Sequence, residues 1–357
     1  MRTLPNITSL RFFLATFVVI FHTRLFFQNR GFAYLNDLAI FNKGIEAVYI
    51  FFSLSGFLII RQLYLEKEKS SSINLKKFFL RRIFRIFPLY YLVLTIGFVY
   101  YRLLLPSMGI EFNNDYDFVT GLLLGITFFP NILYTYHPGS IIHILWSIGI
   151  EEQFYLVIAP LFFFLPLRRV IIFLAVFTVI YFTMFFSGRF PLLKDYQMYF
   201  FYFSFSGICS ILLLKHEFPK TIFKFRYLFY AAFILYFTTS YFKDYLPGFS
   251  YHLFGMFLFG ITICSLVTKP IKLLDNKPMI YLGKISYGIY MIHSIVLQLV
   301  GFIYLKKLAN LHLSNLSLFV ILYGSALLIT IVCSHFSYKY YETYFLRFYD
   351  KFYSKKR

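Results

Sequence analysis

The sequence predicts an all-α integral membrane protein, built as a bundle of about ten transmembrane helices. Of its 357 residues, 59% are hydrophobic and only 14% are charged, which is more apolar surface than one soluble core of this length needs. Apolar windows long enough to cross about 30 Å of hydrocarbon recur along the chain. The windows lack the short alternating pattern of a β-barrel, and lipid offers the backbone no hydrogen-bond partners, so each window should be helical.

The ten windows are distributed along the whole chain. They cover residues 10–28, 44–60, 86–105, 141–165, 170–187, 197–214, 227–242, 251–268, 279–303 and 315–336. The first window contains Arg11 and His22 and precedes no small-x-small cleavage signal, so we expect a retained helix rather than a removed signal peptide.

The distribution of positive charge orients the predicted bundle. The formal net charge is +20, but these long apolar runs do not suit a soluble basic domain, so no nucleic-acid partner is expected. If both termini are cytoplasmic, 26 of the 35 Lys and Arg residues lie on the inner side. Positive residues concentrate on the cytoplasmic side of membrane proteins. The sequence therefore predicts an even number of spans with both ends inside.

One apolar segment does not fit as a further span. Residues 118–133 are short and contain Gly and Pro, and a crossing there would place the basic tail outside. We interpret the segment as a re-entrant or interfacial piece of the 106–140 outer loop. We expect residues 1–340 to form a single transmembrane domain and residues 341–357 a basic cytoplasmic tail.

Ionisable residues inside spans are costly and are therefore candidate functional residues. Arg11 and His22 are eleven positions apart, which places them on one helix face about 16 Å apart. That separation is comparable with the length of a pantetheine arm, so Arg11 can meet an anionic phosphate while His22 meets the reacting end. The alternative is a snorkelling arginine and a core histidine bonded to a carbonyl.

Arg82 and Arg85 form the second candidate pair, near the inner end of the third predicted span. Three residues apart, they share a helix face and can form a fork for phosphate groups. Basic residues at such a position can also serve only as a topology anchor.

Two further groups of polar residues enter the fourth and ninth spans. In the fourth, Ser147, Glu151 and Tyr155 follow four-residue spacing on one face, and Glu152 points about 100° away. Acidic residues also suit a helix N-terminus, which is the alternative for the two glutamates. In the ninth, the polar stripe consists of Ser286, Tyr290 and His293, which can alternatively join neighbouring helices.

Taken together and in this order, these segments resemble the bacterial acyltransferase-3 family of membrane O-acyltransferases. The resemblance spans almost the whole chain. It rests on Arg11-x10-His22, the segment Phe51-Phe52-Ser53-Leu54-Ser55-Gly56-Phe57-Leu58-Ile59, Arg82-x-x-Arg85 followed by Pro88-Leu89-Tyr90, the segment from Trp146-Ser147 to Tyr155, and the segment from Ser286-Tyr287 to His293.

The resemblance implies a multi-pass enzyme of the bacterial plasma (inner) membrane. Such an enzyme transfers an acyl group, usually acetyl from cytoplasmic acetyl-CoA, to a hydroxyl of an extracytoplasmic or lipid-linked glycan. It implies that Arg11 and His22 are essential and that Arg82 and Arg85 serve the CoA donor. Where relatives often carry an acid, this chain has Tyr49, with Glu46 displaced, so no role is assigned to residue 49.

The expected partners are a glycan or lipid-linked sugar acceptor and membrane lipid. Because the chain carries no appended esterase-like domain after the tenth predicted span, a separate extracytoplasmic acyl-accepting protein is a further possible partner. No metal is expected, since the three cysteines have spacings that match no metal site.

In the mechanism that we expect, His22 acts as the general base, Arg82, Arg85 and Arg11 hold the donor phosphates, and Glu151 orients or stabilises the imidazole. Ser147, Glu152, Tyr155, Ser286, Tyr290 and His293 are expected to shape the site. Direct transfer is favoured, with an acyl-enzyme route left open. The alternative function is a multi-spanning transporter or flippase of a glycan precursor, which scattered intramembrane charges would also suit.

Overall fold

A computed structural model describes residues 4–31, 38–112, 115–246, 248–308 and 314–354, which form helices and connecting turns and no β-strand. The predicted all-helical fold class is confirmed. The α-helices are α1 (Ile7–Gln28), α2 (Gly44–Ser70), α3 (Leu75–Val99), α4 (Leu105–Ser107), α5 (Phe118–Ile126), α6 (Pro130–Leu133), α7 (Ser140–His143), α8 (Trp146–Phe164), α9 (Leu167–Phe186), α10 (Pro191–Asp195), α11 (Phe200–Leu214), α12 (Arg226–Thr238), α13 (Tyr241–Tyr245), α14 (Phe249–Thr268), α15 (Lys277–Lys284), α16 (Ser286–Ile303), α17 (Asn315–Phe336) and α18 (Thr343–Ser354).

Shorter helical segments of other types join or extend these helices. Short 3-10 helices cover Ala39–Asn42, Tyr134–Tyr136, Lys220–Phe225 and Lys272–Leu274. Segments of π-helix cover Tyr100–Leu104, Tyr304–Leu308 and Ser337–Glu342. The π-helical segments continue α3, α16 and α17 without a break in the helical chain.

Eight helices or helical stretches in the described parts of the chain are long and apolar enough to cross a membrane. They are Ile7–Gln28, Gly44–Ser70, Leu75–Ser107, Ser140–Phe164, Leu167–Phe186, Phe249–Thr268, Ser286–Lys307 and Leu316–Lys351. Each overlaps one predicted window. The other two windows, 197–214 and 227–242, fall on α11 and α12, which have 15 and 13 residues and are shorter than the roughly 20 that a span needs. The count of ten and the cytoplasmic termini therefore remain predictions.

The third predicted window covers only part of its helix. The helical stretch begins at Leu75, eleven residues before the predicted start at residue 86, and the Asn74 side chain caps it by accepting a hydrogen bond of 2.9 Å from the Lys77 backbone N–H. The charged residues between positions 76 and 85 lowered the hydropathy and hid the first three turns. Arg82 and Arg85 consequently lie inside the helix rather than at its end.

The segment 118–133 contains no helix long enough to cross a membrane. α5 has nine residues, which is about 14 Å at 1.5 Å per residue, and the four-residue α6 follows after a turn. This length agrees with the prediction that residues 118–133 do not form a further span. Its placement as a re-entrant or interfacial piece remains a prediction.

The chain divides into two compact units. Unit 1 comprises residues 1–73, 157–194 and 198–286, and unit 2 comprises residues 74–156, 195–197 and 287–357. The predicted boundary between one membrane domain and a tail at residue 340 stays a prediction. The described part of that tail is helical and continues from the last span.

Unit 1 is built around α2 and α11. These helices approach so closely that a Cβ on Gly56 would lie 2.1 Å from the Phe203 carbonyl oxygen, so only glycine fits there. α11 also packs on α9 and α14, and α1 packs on α2 and α15. The core of unit 1 is therefore a set of apolar helices in backbone contact, as expected where small residues allow close packing.

The beginning of α1 is fixed by contacts with the chain around residues 271–283. The Asn6 amide donates to the Ile271 carbonyl oxygen at 3.0 Å and its oxygen accepts from the Ile271 N–H at 2.6 Å. A Cβ on Gly283 would lie 1.9 Å from the Thr8 carbonyl oxygen, so α15 meets α1 backbone to backbone. These contacts set the position of the helix that carries Arg11 and His22 within unit 1.

A buried lysine satisfies the carboxyl end of α8. The Lys67 ammonium donates to the carbonyl oxygens of Phe162 at 2.6 Å, Phe163 at 3.1 Å and Leu165 at 2.6 Å, and the residue is 9% exposed. The last carbonyls of a helix have no partner within the helix, and the helix dipole makes that end negative. One side chain thus supplies three hydrogen bonds and a matching charge.

We predict that Lys67→Met destabilises the protein by about 2–3 kcal/mol, because it leaves buried carbonyls without a donor. Thermal unfolding in detergent micelles measures the loss. Lys69→Met removes the same charge from an exposed position two residues later on α2 and should change stability little. Equal losses in the two variants would show that charge alone, and not the hydrogen bonds, accounts for the effect.

Unit 2 is organised around α3. α3 packs on α7 and on α18, where the Phe84 ring lies 5.7 Å from the Phe348 ring and 6.1 Å from the Tyr349 ring. The Tyr341 hydroxyl donates to the Pro88 carbonyl oxygen at 3.1 Å. Pro88 has no backbone N–H and therefore donates no hydrogen bond within α3. α18 therefore covers part of α3 at the level of Arg82 and Arg85.

Candidate active site

The fourth predicted span is broken just before its glutamates, in the part that belongs to unit 2. Between α7 and α8, Ile144 and Leu145 form a turn, and the Tyr290 hydroxyl donates to the Ile144 carbonyl oxygen at 2.9 Å. The Ser147 hydroxyl lies 2.6 Å from the Tyr290 hydroxyl and, with that proton already committed to the carbonyl, acts as the donor. Two predicted site residues from separate helices are thus hydrogen-bonded to each other, and Tyr290 supplies the donor for the carbonyl oxygen at the break.

Beyond this break, Arg82, Tyr155 and Glu151 form a connected group. The Tyr155 hydroxyl donates to the Glu151 carboxylate at 2.8 Å, as four-residue spacing on one helix face predicts. The Arg82 guanidinium lies 5.0 Å from the centre of the Tyr155 ring and 5.7 Å from the Phe78 ring. A cation above an aromatic face is attracted to it, so Tyr155 orients Arg82 with its ring and Glu151 with its hydroxyl.

Burial of the Glu152 side chain is costly in free energy. It is 6% exposed, and its Oε1 atom has no hydrogen-bond partner among the described residues. It lies close enough to Arg82 and Glu151 for their charges to interact. A buried polar atom without a partner costs free energy that packing does not recover, and such atoms in native proteins often mark a functional site.

The structure adds two residues that the sequence reasoning did not place in the site. The Tyr287 hydroxyl donates to the Ile86 carbonyl oxygen at 2.9 Å. Glu342, 8% exposed in a π-helical segment, accepts from the Ser337 hydroxyl at 3.1 Å, and its charge interacts with that of Arg85. Arg82 and Arg85 therefore face different carboxylates, although they share α3. An acidic residue shortly after the last predicted window, in a stretch that is otherwise mainly basic and aromatic, was the available signal for Glu342.

His293 and Ser286 occupy α16 in different ways. The His293 ring is fully buried, and its Nδ1 atom lies 2.6 Å from the Tyr290 carbonyl oxygen, so this nitrogen carries the proton and donates within the helix. Ser286 is the buried first residue of α16 and the last residue of unit 1. This hydrogen bond of His293 is within its own helix, so it supports neither the site role nor the alternative role of joining neighbouring helices.

Arg11 and His22 lie in unit 1 on the unbroken helix α1. Both side chains are half-buried, and the His22 ring is edge-on to Phe21 at 5.2 Å. Arg24, which the sequence reasoning overlooked, is 7% exposed and donates to the Gln28 side chain at 2.8 Å. The regular helix supports the common face for Arg11 and His22, and their roles remain predictions.

We predict that Tyr290→Phe lowers stability by about 1–3 kcal/mol, because it removes the hydroxyl that satisfies the Ile144 carbonyl at the break. Ser147→Ala leaves that bond in place and should cost about 0.5–1.5 kcal/mol. Thermal unfolding of the two single variants and the double variant measures the coupling between the residues. A loss in Ser147→Ala as large as in Tyr290→Phe would contradict this order of roles.

The fold and these contacts define a class: a multi-span helical membrane protein with charged residues inside its spans. Residues 4–335 match the model of the acyltransferase-3 family, described as "Acyltransferase domain", and the chain therefore belongs to this family. The match covers all the segments that carried the resemblance in the sequence. No solved structure matches the chain significantly.

The chain is similar to several named relatives at low identity. It is 27% identical over 310 residues to "Putative acetyltransferase ORF330" of Acidianus two-tailed virus, covering 83% of this chain and 84% of that protein. It is 25% identical over 330 residues to "Peptidoglycan O-acetyltransferase OatA" of Listeria monocytogenes, covering 83% of this chain and 49% of that protein. It is 26% identical over 163 residues to "O-acetyltransferase OatA" of Staphylococcus aureus, covering 43% and 24%. The chain thus spans about half or less of the OatA proteins.

Proposed function

We propose that the protein is a membrane O-acyltransferase that moves an acetyl group from acetyl-CoA to a hydroxyl of an envelope glycan. Membership of the acyltransferase-3 family supports the reaction class, and the names of the OatA relatives support acetyl as the group and a glycan as the acceptor. The proposed location is the bacterial plasma membrane.

The observation that carries the proposal is the buried charged group in unit 2. Arg82, Tyr155 and Glu151 are linked by a cation–π contact and a hydrogen bond, and Glu152 beside them keeps one oxygen without a described partner. Placing an arginine and two glutamates inside predominantly apolar helices is costly and needs a functional reason. A carboxylate oxygen with spare capacity suits an acceptor that brings its own hydroxyl donor.

In the proposed reaction, the acceptor hydroxyl oxygen attacks the thioester carbonyl of the donor. His22 takes the hydroxyl proton as the new C–O bond forms, the C–S bond breaks, and the proton passes to the departing CoA thiolate. An imidazole suits this exchange because its ordinary pKa is close to neutral pH. Arg11 on the same face of α1 completes the pair that the family resemblance marks as essential.

Arg82 and Arg85 are the proposed residues for the donor phosphates. Arg85 is exposed and Arg82 is half-buried, so both guanidinium groups remain accessible to a ligand. Guanidinium is planar and offers paired donors that match phosphate oxygens. Contact with the Tyr155 ring orients Arg82 before a ligand binds, and the charge of Glu342 attracts Arg85.

We predict that His22→Ala lowers the turnover of acetyl transfer by about 100-fold or more, the usual contribution of a general base. Release of CoA from acetyl-CoA by purified protein in proteoliposomes, with a glycan acceptor present, measures the rate. His137→Ala is the matched control, since the His137 side chain is exposed and its Nδ1 atom lies 3.2 Å from the Asp115 carboxylate. Thermal unfolding confirms that both variants are folded.

Two results would contradict this assignment. Full transfer by a folded His22→Ala protein would remove His22 as the base. Absence of CoA release, combined with movement of a lipid-linked glycan across the same vesicles, would favour the transporter or flippase instead.

We predict that Arg82→Gln raises the KM for acetyl-CoA by about tenfold or more with a smaller change in kcat, because it removes a charged donor to phosphate. Arg81→Gln removes the same charge from the exposed preceding residue and should change KM little. Equal changes in the two variants would indicate a general effect of surface charge rather than a phosphate contact.

A further inference from the structure

Unit 1 contains a pocket apart from the residues discussed above. It has a volume of about 420 Å³, which is within the range of small-ligand sites. Its walls come from the end of α11, the 3-10 helix Lys220–Phe225, the beginning of α12 and the end of α14. α14 is one of the helices long enough to span a membrane, so the pocket opens where that span ends.

One side of the pocket is strongly basic. Lys220, Lys224, Lys269 and Arg226 line it, and no carboxylate in the described parts of the chain lies within 4 Å of their charged nitrogen atoms. The three lysines are exposed, whereas Arg226 is half-buried and donates to the Tyr227 hydroxyl at 2.9 Å. By contrast, the nearby Lys215 pairs with Glu217 at 2.9 Å. The positive charge of the pocket is therefore not neutralised by the protein, and an anion is the complementary ligand.

The other side of the pocket is apolar. The Phe218 and Phe223 rings stack with their centres 5.5 Å apart and are 7% and 8% exposed. Next to the pocket, the first turn of α12 presents Tyr227 and Leu228, which are 69% and 65% exposed. An apolar surface continuous with the outside of an apolar helix suits a hydrocarbon chain rather than a fully polar ligand.

We propose that this pocket binds the headgroup of an anionic phospholipid. The three lysines contact the phosphate, and the glycerol and the first part of an acyl chain lie against Phe218 and Phe223. Lysine acts on phosphate as a flexible point charge, and Arg226 at the start of α12 adds a further positive charge beside the three lysines. Basic pockets at the ends of spanning helices are suited to anionic lipid headgroups. The distribution of positive charge predicts that this end is cytoplasmic, the side where such lipids attract basic residues.

The test uses the full-length protein in detergent micelles with dioleoyl phosphatidylglycerol as the probe. Native mass spectrometry counts bound lipid, and thermal unfolding measures its stabilising effect. Lys220→Gln, Lys224→Gln and Lys269→Gln, combined in one variant, should weaken binding about 100-fold. The matched control combines Lys69→Gln, Lys272→Gln and Lys277→Gln, which removes the same charge from exposed positions of unit 1 and should retain binding.

Each outcome decides the proposal. Loss of phosphatidylglycerol binding in the pocket variant alone, with neutral phosphatidylcholine showing no shift in any protein, supports it. Retained binding in the pocket variant, or equal loss in both variants, overturns it. If the pocket variant instead loses protection by CoA while keeping that by phosphatidylglycerol, the ligand is a nucleotide and the lipid assignment is wrong. Acetyl transfer is measured separately and does not enter the decision.

Discussion

The requirement that buried backbone groups find partners without water governs this structure. Every place where a spanning helix ends or breaks exposes carbonyl oxygens, and lipid cannot bind them. At two such places a side chain from another helix donates: Lys67 to the end of α8 and Tyr290 to Ile144. Tyr90 does the same for the end of the short helix α5, where it donates to the Gly125 carbonyl at 2.7 Å. These donors allow irregular backbone within apolar surroundings, and the break before α8 is the irregularity that precedes the glutamates.

The same requirement separates two kinds of polar residue in the spans. Ser147, Tyr290 and His293 have described hydrogen bonds that satisfy backbone or one another, so their presence is accounted for by structure. Backbone satisfaction does not account for Arg82 and Glu152, since Arg82 lies over aromatic rings and Glu152 has an oxygen without a described partner. The proposed function accordingly depends on the second kind of residue.

Periodicity and hydropathy predicted the helical class and eight stretches that the structure shows to be long enough to span. They failed at the start of α3, because the lysines and arginines of its first three turns look like a loop to a hydropathy average. They also could not distinguish the roles of Tyr290, which bonds the distant Ile144 carbonyl, and Tyr155, which bonds Glu151 on its own helix. Spacing identifies residues that share a helix face but not the partner that lies opposite that face. Glu342 was missed for the same reason, because it comes close to Arg85, far away in the sequence, only through the fold.

Positive residues at the ends of spans illustrate how structure resolves an ambiguity that sequence leaves open. A residue that only sets topology needs its charge near the membrane surface and gains nothing from burial. Lys69 fits that description, whereas Lys67, two positions earlier, is buried and bonded to three carbonyls. Arg82 is half-buried with its guanidinium over Tyr155, where it has lost part of its hydration. A topology anchor would not require that loss, so a ligand that interacts with the oriented guanidinium explains Arg82 better.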